Sequence, residues 1–335
     1  MLRQNKRIAV VMLTFNRRAE VLLSLQNLVL LPERPKIVLV DNGSSDCTAE
    51  AVRARFPRVE VIDAGQNLGA AGRNLGVKHV DTPYIAFCDD DTWWQPGALT
   101  RAIALFESHP RLAVATGRVL IGPDEREDPV CEELLRSPLT CSPEMPGKSL
   151  LGFLAGASVV RRSAFLEAGG YNGRFFIGGE EQLLAADLAA LGWWLCYVPE
   201  LVVHHYPSEM RDGHRRQWHL VRNALWFAWL RRPWRSALRR TGSMAWSGPW
   251  DRAAMRGFAS ALAGLPWVLR DRRVAPPSVE QGLCLLENFA VRKCAPLKPS
   301  SIPITDEIKR HNDHAVRSGP QGRSLAREDA LLDLR

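Results

Sequence analysis

Short runs of aliphatic and β-branched residues alternate with amphipathic stretches over the first third of the chain. Residues 8–13, 37–40, 59–62 and 84–88 read as buried strands. Residues 19–30, 46–56, 70–80 and 97–108 carry helical periodicity, the first closed by Pro32 and the second by Pro57. This alternation predicts an α/β fold with a mostly parallel central sheet covered on both faces. Such sheets bind ligands at the carboxyl ends of their strands, so chemistry is sought in the residues that follow each strand. The stretch 121–149, rich in Pro, Glu and Asp, reads as an irregular crossing segment. Periodicity returns at 150–160, with a helix over 180–191 and strands at 194–198 and 201–204. From about 211 the pattern becomes helical and rich in Trp and Arg, and after 297 it is polar throughout. Three parts are therefore expected: an α/β domain over 7–210, a basic, Trp-rich C-terminal helical extension over 211–296, and a disordered tail over 297–335.

Composition adds limits. With 335 residues, 46% hydrophobic and 24% charged, the chain is globular in character. No apolar run reaches the ~20 residues that a spanning helix needs. Arg3, Lys6 and Arg7 precede an apolar run too short for a signal peptide and without a cleavage site. Seven scattered cysteines without a C-x-x-C pair fit a reducing compartment. The expectation is a cytoplasmic protein, soluble or peripheral at the inner face of the membrane. The net charge of +8 is concentrated, because residues 211–273 hold 14 Arg against three Asp and the remainder is slightly acidic.

Candidate chemistry begins with Asp89, Asp90 and Asp91, directly after a predicted strand. Adjacent carboxylates repel one another, so a cation or hydrogen-bond donors must offset them. Divalent Mg²⁺ or Mn²⁺ suits such oxygen ligands and bridges carboxylates to phosphates. By strand alternation Asp89 and Asp91 point together and Asp90 away. The competing reading is a helix N-terminus favoured by carboxylates. Asp41 also follows a strand, and there an Asx-turn is the simpler role. Glu180 and Glu181 follow Gly178-Gly179 at a helix start. His204-His205 end an apolar strand, so only one of the two faces a given side of the sheet.

Together these segments resemble glycosyltransferase family 2, including its rhamnosyltransferase-like members, which have the GT-A fold. Val10-Val11-Met12-Leu13-Thr14-Phe15-Asn16-Arg17 resembles the opening strand and its nucleotide-contact turn. Val40-Asp41-Asn42-Gly43-Ser44-Ser45-Asp46 and Asn67-Leu68-Gly69-Ala70-Ala71-Gly72-Arg73-Asn74 resemble the next two signatures. Asp89-Asp90-Asp91 stands at the D-x-D position, and Phe175-Phe176-Ile177-Gly178-Gly179-Glu180-Glu181 at the segment of the catalytic base. Tyr197-Val198-Pro199-Glu200 leading to His204-His205 resembles the metal-ligand histidine strand. The match runs over about residues 7–207, in order.

The resemblance implies a glycosyltransferase that moves a sugar from a UDP- or dTDP-linked donor to an acceptor hydroxyl, with Mn²⁺ or Mg²⁺ and inversion at the anomeric carbon. Thr14 and Phe15 would meet the nucleotide, Phe15 packing on the base, and Asp41 would accept the base imide N–H. Arg73 would face the nucleotide, and Asp89 the ribose or the water shell of the metal. Asp91 and His205 would bind the metal. Glu181 would be the general base, with Glu180 as the alternative. Acceptors implied are glycans, lipid-linked glycans or small molecules, as in cell wall or polysaccharide biosynthesis. The chain departs from the family after the acidic pair, where Leu183-Leu184 and Asp187 replace the usual Asp-Leu and Arg. Arg222-Asn223 resembles a basic patch near donor or acceptor phosphates.

Seven of eleven Trp (Trp218, Trp226, Trp229, Trp234, Trp246, Trp250 and Trp267) share the Arg-rich window. Such helices either form the core of a helical subdomain with Arg outside, or lie on a membrane, with residues 220–234 as the leading segment. No nucleic-acid motif accompanies the charge. A sugar nucleotidyltransferase would carry a Gly-rich loop after the first strand, and a dehydrogenase a G-x-G-x-x-G; neither is present. The remaining rival is a non-catalytic, lipid-binding module on the same fold.

Overall fold

The computed structural model describes residues 4–207, 213–247 and 251–294. The chain opens with β1 (Ile8–Thr14), α1 (Arg18–Leu28), β2 (Lys36–Asp41), α2 (Thr48–Arg55), β3 (Glu60–Asp63), α3 (Arg73–His79) and β4 (Tyr84–Asp89). β1 lies between β2 and β4, and β3 flanks β2, all parallel. The uniformly apolar strands are what burial on both faces requires: Ile8 to Met12 and Ile85 to Cys88 are fully buried.

β5 (Thr92–Trp94) follows β4 after a two-residue turn made of Asp90 and Asp91, and α4 (Ala98–Ser108) follows it. Then come β6 (Leu112–Ile121), β7 (Arg126–Glu127), α5 (Pro129–Leu135), β8 (Lys148–Ser149), β9 (Ser158–Arg161), α6 (Arg162–Glu167), α7 (Glu180–Ala190) and β10 (Trp194–His205). The sheet order is β3-β2-β1-β4-β9-β6-β10-β5, with β9 antiparallel to both β4 and β6. The α/β class and parallel first block follow the sequence pattern. Strand β6 does not: its apolar run is broken by Gly117 and Arg118, and the pattern had no strand there. Gly117 is needed, because a Cβ on it would lie 2.4 Å from the Leu201 carbonyl of β10. The two strands expected at 194–198 and 201–204 are one, β10, whose register shifts between Tyr197 and Val202. Pro199 sits in that irregularity, where the ladder needs no N–H from it.

The C-terminal helices are α8 (Gly213–Arg231), α9 (Trp234–Ser247), α10 (Arg252–Ala263), α11 (Leu265–Arg270) and α12 (Pro277–Cys294). Trp226, Trp229 and Trp267 are buried with Phe175, Leu183 and Ala186 in a second core. The core reading therefore holds for these Trp, while Leu220 and Trp234, at the two ends of the 220–234 segment, stay exposed. Trp250 and the tail expected over 297–335 lie outside the described residues.

Candidate functional site

The carboxyl ends of β1, β2 and β4 stand side by side, Thr14 opposite Asp41 and Leu13 opposite Asp89. Above them opens a cleft of about 740 Å³. Thr14, Phe15, Arg73, Asp89, Asp91, Glu181 and His205 all line it, as do Asp90 and Glu180. Asp41 is the expected residue that does not. It is buried, and its Oδ1 accepts the Ser44 N–H at 2.8 Å, so it shapes the turn behind the cleft. Phe15 at the rim is 41% exposed, an aromatic face left open.

The acidic turn is held from three directions. The Trp94 indole N–H donates to the Phe87 carbonyl at 3.1 Å and ties β5 back to β4. Ser24 of α1 donates to the Asp90 carbonyl at 2.8 Å. The Tyr206 N–H donates to the Asp91 carbonyl at 2.9 Å, joining the end of β10 to the turn. Strand alternation stops at Asp89, and that corrects the expected orientation of Asp90: it lines the cleft beside its neighbours and accepts from the Thr14 hydroxyl at 3.2 Å. Burial, reinforced by Asp91 and Asp89, pushes its carboxyl up to about 7.

Asp89 pairs with the buried Arg73 guanidinium, which lies 6.0 Å from the Tyr171 ring. Burial alone would favour neutral Arg73, but Asp89 beside it holds the cation above its ordinary range. Asp91 Oδ2 lies 3.5 Å from His205 Nε2. β10 delivers that contact through its pairing with β5, His205 opposite Thr92. His204 turns the other way, stacking on Trp93 with ring centres 5.6 Å apart and facing Glu125 at 3.4 Å. The two histidines thus divide as alternation requires.

The fit to a divalent ion rests on that pair. Two donors bound side by side on a six-coordinate ion at ~2.1 Å stand about 3 Å apart, close to the observed spacing. No group of three His, Cys, Asp or Glu poised for a metal occurs among the described residues. The donor set suits a half-site that a ligand's phosphate oxygens complete.

Glu180 and Glu181 start α7 after Gly178 and Gly179, both with positive φ (+86° and +90°). Glu180 is buried, and burial together with Glu180 pushes the Glu181 carboxyl up to about 8. The loop before them is fixed from two sides. The Phe176 carbonyl accepts the Ala70 N–H at 2.7 Å. From α8, Asn223 Nδ2 reaches the carbonyls of Phe175 (2.8 Å), Ile177 (3.1 Å) and Gly178 (2.5 Å). Arg222 donates to the carbonyls of Arg174 (3.1 Å) and Phe175 (2.9 Å) and to Asn223 Oδ1 (2.9 Å). Its guanidinium sits over Trp226 at 4.2 Å, and burial lowers its pKa to about 10. Arg222-Asn223 is therefore a buried clamp on backbone carbonyls, not the phosphate-facing patch that the sequence suggested. Asp187 likewise pairs with Arg231 and ties α7 to α8. Asp128 and Val130 line the cleft from the segment read as irregular. The signal for their helix was Asp128-Pro129, a cap followed by proline, with Asp128 Oδ1 accepting the Val130 N–H at 2.9 Å.

Residues 9–169 match the family described as Glycosyl transferase family 2. A curated relative, N-acetylglucosaminyl-diphospho-decaprenol L-rhamnosyltransferase of Mycobacterium tuberculosis, is 28% identical over 281 residues, covering 71% of this chain and 90% of the relative. Among solved structures, mannosyltransferase PcManGT from Pyrobaculum calidifontis in complex with GDP-Man and Mn²⁺ superposes with a TM-score of 0.51. It shares 16% identity over 87% of this chain and 88% of that one. GalNAc-T7 with UDP, GalNAc and Mn²⁺ gives 0.53 at 15% identity, over 79% and 57%. These likenesses show the GT-A type of fold.

Proposed function

We propose that the chain is a glycosyltransferase of family 2, the family that residues 9–169 match, and that it moves a sugar from a UDP- or dTDP-linked donor, with inversion, to a hydroxyl of a lipid-diphosphate-linked glycan. The observation that carries this reading is the convergence of Asp89, Asp91, His205, Arg73, Glu180 and Glu181 on one cleft. The acceptor class follows from the relative that acts on a decaprenol-linked substrate.

Phe15 at the rim offers a face for the nucleobase, and Asp41 sets the turn beside it. Asp91 and His205 would hold a Mn²⁺ or Mg²⁺ ion. Such an ion, when bound, offsets the charge that grows on the departing diphosphate. Arg73, a cation paired with Asp89, keeps that carboxylate aimed at the donor. Glu181 has the raised affinity for a proton that a general base near neutral pH requires, and it takes the proton of the acceptor hydroxyl as the new glycosidic bond forms. Glu180, more deeply buried, raises that affinity by like charge.

Calorimetry of UDP, dTDP and GDP binding, each with Mn²⁺ and with chelator, tests this on wild type and Asp91→Ala. Metal-dependent binding of UDP or dTDP that the variant loses is the expected result. Folded protein that binds none of the three nucleotides overturns the reading.

A further inference from the structure

We propose that the outer face of α9 docks on an anionic lipid bilayer. Trp234, Leu238 and Trp246 are 49%, 65% and 93% exposed. At ~100° per residue Arg235, Trp246 and Arg239 share the outer side of the helix, Leu238 flanks it, and the half-exposed Trp234 stands at the edge next to the inward face. The opposite face is committed inward: Ala237 is fully buried, Met244 packs on the second core, and Thr241 accepts the Trp229 indole N–H at 2.9 Å. A Trp that is almost wholly exposed gains nothing from the fold of its own chain.

Charge selects the occupant. α9 carries Arg235, Arg239 and Arg240, all exposed, and contains no Asp or Glu. Arg239 reaches Glu287 at 3.5 Å and Cys284 Sγ at 3.8 Å, while its side chain remains 66% exposed. The Arg272 guanidinium lies over the Trp234 ring at 4.0 Å and adds a further cation at the edge of the face. A second copy of the chain pairing through this face would bring arginines against arginines. A bilayer bearing negative headgroups offers apolar depth to the Trp and Leu side chains and distributed charge to the arginines. No described helix is long and apolar enough to cross a membrane, so α9 would lie in the plane of the interface. This inference does not depend on the transfer chemistry.

The test is co-sedimentation of the full chain with vesicles of phosphatidylcholine alone or mixed with phosphatidylglycerol, at low and high salt. Two double variants accompany it, Leu238→Ser with Trp246→Ser and Arg235→Glu with Arg240→Glu. Wild type is expected on the anionic vesicles, and each double variant weakens that binding by at least about tenfold. Their thermal melts and UDP or dTDP binding stay unchanged, which separates loss of docking from loss of fold or donor site. Three outcomes overturn the proposal: wild type that stays in solution with both vesicles, variants that sediment like wild type, or a dimer in light scattering that Leu238→Ser with Trp246→Ser disperses.

Discussion

The carboxamide of Asn223 donates to the Gly178 carbonyl at 2.5 Å, and so a helix outside the sheet sets the backbone from which Glu180 and Glu181 enter the cleft. Asn223 is buried, and its Nδ2 serves two further carbonyls of the same loop. Asn223→Ala leaves these acceptors short and costs about 2–4 kcal/mol. A displacement of about 1 Å at a reacting group costs on the order of 10²-fold in rate. The variant, assayed below its melting temperature, is expected to lose ~10- to 100-fold in kcat while calorimetric nucleotide affinity changes little. An unchanged kcat would reduce the clamp to a purely structural role.

Glu181 predicts the shape of the pH profile. A base must be ionised to act, so kcat/KM climbs with pH up to about 8 and levels above it. Stability runs the other way. The folded-state pKa of Glu181 is raised, so its contribution is fully present below the ordinary carboxylate range and is lost as pH rises through about 8. Asp90 acts in the same sense up to about 7. Glu181→Gln should cut the rate by ~10²- to 10⁴-fold, yet flatten the fall in melting temperature as pH rises from the ordinary carboxylate range to about 8. A Glu180→Gln variant with the larger rate loss would exchange the two roles.

What the sequence made legible follows from distance along the chain. The acids at 89–91 were readable because a buried strand runs directly into them; alternation showed that His204 and His205 part, and the family resemblance, not periodicity, pointed to His205. Orientation beyond the strand was not, since Asp90 belongs to a turn that Thr14 and Ser24 hold in place. Arg222 and Asn223 look like any polar pair in an Arg-rich helix, and their partners are carbonyls more than forty residues earlier, which carry no side-chain signature. Asp187 was read as a departure at a ligand position, whereas its partner Arg231 lies 44 residues away. Long-range polar contacts to backbone leave no periodicity to detect.

Gly156 approaches the acidic turn closely. A Cβ at this position would lie 2.6 Å from Asp89 Oδ2 and 2.7 Å from its Cγ. Gly156 has no positive φ, so alanine is tolerated by the backbone and the strain falls on the Asp89 side chain and its pairing with Arg73. Gly156→Ala is expected to raise the donor KM by ~10-fold or more, with a loss of about 1–3 kcal/mol in stability. Donor titration and urea unfolding of the same preparation check both.

Gly69 and Gly65 form a matched pair that isolates a close contact from backbone strain. Both have positive φ, +60° and +69°. A Cβ on Gly65 meets nothing within 4 Å, so Gly65→Ala pays for the left-handed backbone alone, about 1–2 kcal/mol. A Cβ on Gly69 would lie 2.1 Å from the Phe176 carbonyl, the group that accepts the Ala70 N–H. Relief requires the Gly69 segment and the loop before α7 to move apart, which breaks that hydrogen bond and shifts the cleft wall formed by Gly69, Ala70 and Phe176. Gly69→Ala should therefore destabilise by at least about 2 kcal/mol more than Gly65→Ala, and it alone should weaken nucleotide binding. Equal losses of stability in the two variants, measured by urea unfolding, would mean that the loop before α7 yields easily and that its seat against Gly69 does not fix the acidic pair.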